Sequence, residues 1–172
     1  MKPTIYTIGH SNRPIKEFIE ILKAHGVRRI IDIRTIPKSR HNPQFGEGRL
    51  KNSLRKARIA YHHEPLLGGL RRTQKDSVNL GWENLSFRGF ADYMQTENFE
   101  KGLEKLDKLA AKSPTAIMCA EAVPWRCHRS LVADALKKKK WRVFHIMSRT
   151  NAREHEYTSF LRIRKGKLIY PK

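Results

Sequence analysis

The sequence predicts an α/β protein: a single doubly wound domain with a mostly parallel sheet, helices on both faces, and a C-terminal hairpin. Three observations carry this. Short β-branched, apolar runs alternate with stretches of helical periodicity. Glycine and proline punctuate the changeovers. Polar residues gather just after the strand-like runs, where an open α/β sheet keeps its ligand crevice.

Thr4–Ile8 reads as the first strand, broken by Gly9-His10-Ser11-Asn12. Pro14 can open a helix, with Ser11 or Asn12 as its N-cap. Ile15, Phe18, Ile19 and Leu22 then recur at helical spacing, and Gly26 supplies the stop. Arg29–Ile33 has the apolar centre of a buried parallel strand. A polar loop follows to Gly48, and Leu50, Leu54 and Ala57 suggest a short basic helix. Ile59–His63 is a third strand. Glu64 to about Arg88 reads as a long irregular stretch, of a length that is often functional or disordered.

Phe90 to Ala110 points to one long or two short amphipathic helices. Thr115–Cys119 is a strand, Ser130–Lys138 a helix and Arg142–Ile146 another strand. Phe160–Arg164 and Lys167–Tyr170, joined by Lys165-Gly166, form a terminal hairpin. Residues 1–150 therefore make the α/β domain. Residues 151–172 are a basic extension or hairpin packed on it.

The charge is lopsided. Thirty-six Lys and Arg face sixteen Asp and Glu, a formal net charge of +20. Residues 1–60 hold 14 basic and 4 acidic side chains, residues 61–120 hold 8 and 8, and residues 121–172 hold 14 and 4. A field of this size captures polyanions, so nucleic acid, DNA or RNA, is the expected partner. A generic solubility surface is the plainer alternative. No apolar run approaches the ~20 residues of a spanning helix, and the first residues lack a secretory apolar core. Both cysteines fall in one short stretch, which is not a disulfide scaffold. The expected location is cytoplasmic, with reduced thiols and no membrane partner.

The candidate chemistry lies after the strands. Gly9, His10 and Ser11 follow the first, and a glycine there lets backbone approach a ligand. Asp32 and Arg34 end the second, with Ser39 and Arg40 beyond. Cys119 ends the fourth, followed by Glu121 and then by Arg126, Cys127, His128 and Arg129 at the start of a helix. A helix N-terminus favours a bound phosphate and lowers a thiol pKa. His10, Glu121, Cys127 and His128 are thus the catalytic candidates, the first two and His128 for proton transfer. Gly9, Ser11, Asp32, Arg34, Ser39, Arg40, Gly68, Gly69, Arg126 and Arg129 are the candidates for holding phosphate or substrate. His41, Phe45, Tyr61 and Trp125 could stack on unpaired bases.

No cofactor motif appears. A zinc or iron site from Cys119, Cys127, His128, His62 or His63 is a weak alternative, because the seven residues between the cysteines match no compact zinc spacing. Strand, Cys119, loop, Arg126 and helix also resemble cysteine-dependent phosphatases and sulfurtransferases. The loop departs from that pattern: it is one residue longer, has no glycine, and Pro124 removes a donor.

Taken in order, Thr7-Ile8-Gly9-His10-Ser11, Asp32-Ile33-Arg34 with Pro37 and Ser39, Leu67-Gly68-Gly69, and Cys119-Ala120-Glu121 followed by Cys127-His128-Arg129 resemble domain-of-unknown-function family 488. The matches span roughly residues 4–150. The resemblance implies a cytoplasmic α/β domain and marks those positions, Glu121 included. It supplies no reaction. On the residues alone, the expected function is an enzyme acting on a phosphate-bearing substrate, most naturally nucleic acid, by hydrolysis or base processing. A non-catalytic nucleic-acid-binding module and a cysteine-dependent phosphatase or sulfurtransferase-like enzyme are the alternatives.

Overall fold

The structure, a computed structural model, describes residues 3–172. Six strands form one sheet in the order β3-β2-β4-β1-β5-β6. These are β1 (Thr4–Gly9), β2 (Arg29–Asp32), β3 (Ala60–His63), β4 (Thr115–Cys119), β5 (Arg142–Ile146) and β6 (Ala152–Glu154). The first five run parallel, and β6 pairs antiparallel with β5. β7 (Arg162–Arg164) and β8 (Lys167–Ile169) make the C-terminal hairpin.

Alternation along the strands divides the core in two. Ile8, Ile30 and Met118 point to one face, against Phe18, Leu22, Leu50 and Leu54 of α1 (Ile15–Ala24) and α2 (Glu47–Lys56). Ile5, Ile31 and Ile117 point to the other. They meet Phe90, Phe99, Leu103, Leu131 and Val132 from α3 (Leu85–Tyr93), α4 (Glu97–Ala110) and α5 (Arg129–Lys138). Successive strand residues face opposite ways, so a strand buried on both sides must be apolar throughout. β4, Thr-Ala-Ile-Met-Cys, is buried at every position.

The topology places the crevice. From β1 the chain crosses toward β2, and from β4 it crosses toward β5, in the opposite direction. β1 and β4 are neighbours, with Gly9 level with Cys119. The loops that follow them therefore part at the switch point, where such sheets bind ligands.

One local expectation needs correction, and two segments gain detail. α1 has no side-chain cap. Ser11 sits at φ 51°, and its N–H bonds Ala120 O at 2.9 Å, tying the loop after β1 to the loop after β4 rather than capping a helix. The stretch after Glu64 is fixed in place. Asp92 of α3 accepts from Gln74 N at 2.8 Å, from Asn79 Nδ2 at 2.7 Å and from the Ser77 hydroxyl. Asn79 Oδ1 in turn accepts from Tyr170 N. Finally, β6 has no strand-like sequence, and pairing with β5 makes it a strand.

The C-terminal residues share the main core, for Leu161, Leu168 and Tyr170 pack within it. A buried polar chain fastens them. The Asp134 carboxylate of α5 accepts from His155 Nε2 at 2.7 Å, from Thr158 Oγ1 at 2.8 Å and from the Tyr170 hydroxyl at 2.8 Å. With His155 Nε2 donating, its Nδ1 accepts from His145 Nε2 at 2.9 Å, and His145 Nδ1 accepts from the Thr7 hydroxyl at 2.6 Å. Every buried polar atom of that chain has a partner, as burial demands.

Candidate functional site

Cys119 lies at the carboxyl end of β4, and its backbone fixes the neighbouring loop: His10 N–H bonds Cys119 O at 2.9 Å. The chain then turns through Glu121 and a 3-10 turn, Pro124–Arg126, into Cys127, His128 and the first turn of α5. Arg129 opens that helix and folds back under the loop. Its Nη1 donates to Cys119 Sγ at 3.2 Å and to Glu121 O at 3.0 Å, and its Nη2 donates to Ala122 O at 3.2 Å.

Arg129 is fully buried, and no carboxylate is among these partners. An isolated buried charge costs several kcal/mol unless it is compensated. The side chain its guanidinium touches is Cys119, through the sulfur. Burial alone would push that thiol up. The Cys127 thiol beside it and the Arg129 guanidinium act the other way, and the net direction is down. Cys127 goes up, chiefly through burial and then through its contact with Cys119. Arg129 touches both sulfurs, since its backbone N–H donates to Cys127 Sγ at 3.4 Å. Cys119 is thus the more acidic of the two thiols, and Cys127 the less acidic.

His128 backs the pair. Its Nε2 lies 3.0 Å from Ile33 O, which makes Nε2 the protonated nitrogen and leaves Nδ1 as an acceptor, 3.5 Å from Cys127 Sγ. Burial lowers its pKa to about 4. Phe90 meets the ring edge-on, and Gly69 leaves room for it: a Cβ at Gly69 would sit 3.2 Å from Nδ1.

A second network lies beside the first. Asp32 holds Arg34 through Nε at 2.9 Å and Nη2 at 2.7 Å, and accepts from the Tyr61 hydroxyl at 2.6 Å. Burial works against the Arg34 charge, but the Asp32 carboxylate outweighs it and raises the pKa. Arg34 Nη1 reaches His10 Nε2 at 3.4 Å. His10 stacks on Phe45 with ring centroids 4.3 Å apart, and its Nδ1 donates to Ser11 O at 2.7 Å. Burial and then Arg34 hold it neutral, with a pKa near 4.

These parts border one open cleft of about 440 Å³, with both cysteines on its wall. Arg34, Lys38 and Arg126 bring positive charge to it, and Glu121 the one carboxylate. An anion with a reactive centre fits such a lining.

The residues singled out in the sequence fall into three groups. Arg34, Gly69, Glu121, Arg126, Cys127 and His128 border the cleft. Gly9, His10, Asp32, Gly68 and Arg129 lie behind its wall. A Cβ at Gly9 would lie 1.5 Å from Glu121 O, and one at Gly68 would lie 2.5 Å from Thr35 Oγ1. Protein, rather than ligand, occupies the space those glycines leave. Ser11, Ser39 and Arg40 are not among the cleft residues. The Ser11 hydroxyl turns to Asn12, Ser39 Oγ accepts from Asn42 N at 3.2 Å, and Arg40 is exposed. Of the proposed stacking residues, Phe45 is buried and Tyr61 is tied to Asp32, whereas Trp125 is 57 % exposed.

The sequence points to Cys127 through its Cys-His-Arg triplet, and the structure adds Cys119 through its contact with Arg129. The signal was present: a cysteine as the last residue of a central strand. Among the described residues, no group of three His, Cys, Asp or Glu side chains is arranged to hold a metal ion. No helix among them is long and apolar enough to cross a membrane.

A family model described as domain of unknown function DUF488 matches residues 14–136. That stretch contains Asp32, Arg34, Gly68, Gly69 and the whole segment from Cys119 to Arg129. No curated protein and no solved structure matches the chain.

Proposed function

This chain belongs to the DUF488 family, and since that description names no reaction, we propose a function from the cleft: a cysteine-dependent transferase whose nucleophile is the Cys119 thiolate. Its substrate is an anion carrying an electrophilic phosphorus or sulfur. The observation that carries this is the pairing of a fully buried guanidinium, Arg129, with the Cys119 sulfur. A thiolate is the form of cysteine that attacks, and a positive neighbour is what maintains it.

In the reaction, Cys119 Sγ forms a bond to the electrophilic atom. The leaving group departs with the bonding electrons. Arg34, Lys38 and Arg126 hold the anionic part of the substrate. Arg129 and the loop backbone hold the sulfur in line, and Gly9 lets that loop lie close enough.

Acid–base hydrolysis by His10 and His128 has less support. Both rings have each nitrogen engaged, and neither imidazole carries a proton to give at neutral pH beyond the one already committed to a backbone carbonyl.

The net charge of +20 favours a second, compatible reading in which the anion is part of a nucleic acid. Alkylation by iodoacetamide, mapped by mass spectrometry across pH, tests the first reading. Preferential labelling of Cys119 below the usual thiol range supports it. Preferential labelling of Cys127, or of neither sulfur, removes it.

A further inference from the structure

We propose that Cys127 is the resolving thiol of this centre, so that the pair accepts a sulfur atom from a sulfane-sulfur anion and closes to a Cys119–Cys127 disulfide. The proposal rests on the Cys119 reading above and deepens it.

Four observations support it. One residue, Arg129, touches both sulfurs, with Nη1 3.2 Å from Cys119 Sγ and its backbone N–H 3.4 Å from Cys127 Sγ. Both border the same open cleft, so a small donor that reaches one reaches the other. His128 Nδ1 faces Cys127 as an acceptor, its tautomer fixed by Ile33 O on the far side of the ring. The chain has two cysteines only, so no third thiol competes within it.

An attacking thiolate with a second thiol poised beside it is the arrangement that resolves covalent sulfur adducts. A phosphocysteine is released by attack at phosphorus, whereas a persulfide is released by thiol attack at sulfur. The choice of sulfur over phosphorus follows from that difference.

Thiosulfate serves as the probe, being the simplest anion of the class. The Cys119 thiolate attacks its outer sulfur. A new S–S bond forms at Cys119, the donor's own S–S bond breaks, and sulfite leaves with the electron pair. Cys127 then attacks Cys119 Sγ. The Cys119–Cys127 bond forms, and the terminal sulfur of the persulfide leaves as hydrosulfide with the proton from Cys127. The two thiols together lose two electrons, and the transferred sulfur gains them. An external dithiol returns the pair to its reduced state.

The expected results are specific. Reduced protein treated with thiosulfate releases sulfite and sulfide and loses two hydrogens in intact mass, as a monomer on a non-reducing gel. Cys127→Ser releases sulfite, retains one added sulfur atom and forms no disulfide. Cys119→Ser does neither.

A wild-type protein that holds the added sulfur without closing, or that closes only between two copies, overturns the role of Cys127 and leaves the Cys119 reading standing. So does a Cys119 that iodoacetamide labels at low pH but thiosulfate leaves untouched. Sulfur added to Cys119→Ser, or a Cys119 inert to both reagents, overturns the Cys119 reading as well. Far-UV circular dichroism of each variant, matched to wild type, ties every outcome to chemistry rather than to unfolding.

Discussion

Arg129 Nη1 lies 3.2 Å from Cys119 Sγ, and the guanidinium that carries it has no exposed surface. The contact joins the end of a central strand to the first turn of the next helix. On the proposed thiolate reading, this contact makes the state of one sulfur a matter of stability as well as reactivity, since protonating or deleting the sulfur strands a buried cation.

Cys119→Ala should therefore cost more than its small volume suggests, about 3 kcal/mol, the scale of an uncompensated buried charge. Arg129→Met should cost a similar amount, because Glu121 O and Ala122 O lose their donor. The double variant should be more stable than the sum of the two losses implies. Urea unfolding of all four proteins measures the coupling. Simple additivity would mean that the sulfur is not the counter-charge.

Gly9→Ala should distort the cleft. Its methyl would fall 1.5 Å from Glu121 O, a backbone atom that moves only with the whole loop. A loss of several kcal/mol is expected, as for other severe overpacking. Gly69→Ala meets a side chain at 3.2 Å instead and should cost about 1 kcal/mol. Thermal unfolding separates the two.

Asp134→Ala should loosen the C-terminal segment. It removes the acceptor shared by His155, Thr158 and Tyr170 and leaves their donors buried. The expected loss is about 3–5 kcal/mol. Hydrogen exchange should locate it in residues 152–170 and in α5, with β2 and β3 less affected.

Stability should fall with acidity before the carboxylates titrate. His10 and His128 are held at about 4 and His145 at about 3, all from an ordinary 6.5, mainly by burial. The unfolded chain takes up those protons near 6.5, and the folded chain does not. Below that pH the unfolded state binds more protons, so folding weakens as pH drops from about 6.5 toward 4. Melting temperatures at pH 7, 6 and 5 give the slope. Replacing His10 by Asn should flatten it.

Nucleic-acid binding through the basic side chains should weaken steeply with salt. Anisotropy of labelled single-stranded DNA, duplex DNA and RNA across a salt series measures this. Equal, weak binding to all three at low salt would leave the charge as a solubility surface.

The sheet was legible because its strands are apolar runs cut off by glycine or proline, as at Ile30-Ile31 and Ala116–Met118. β6 was not legible: Ala152-Arg153-Glu154 owes its conformation to its register with β5, which is a tertiary fact. The cleft was legible as far as topology goes, since the segments after β1, β2 and β4 do converge.

What each residue faces was less legible. Gly9 announced a close approach but not that Glu121 would make it. Arg126 and Arg129 look alike in sequence, yet Arg126 ends a 3-10 turn and is exposed, and Arg129, the first residue of α5, is sealed under the loop. The link of Asp134 to His155 and Tyr170 spans 21 and 36 residues and leaves no local pattern to read.

The most direct test of the account is the pH dependence of iodoacetamide labelling at Cys119, followed in the Cys127→Ser protein so that one thiol reports. A midpoint clearly below the ordinary thiol value of about 8.5 is expected, moved upward by Arg129→Met. A midpoint at or above that value, indifferent to Arg129, would contradict it.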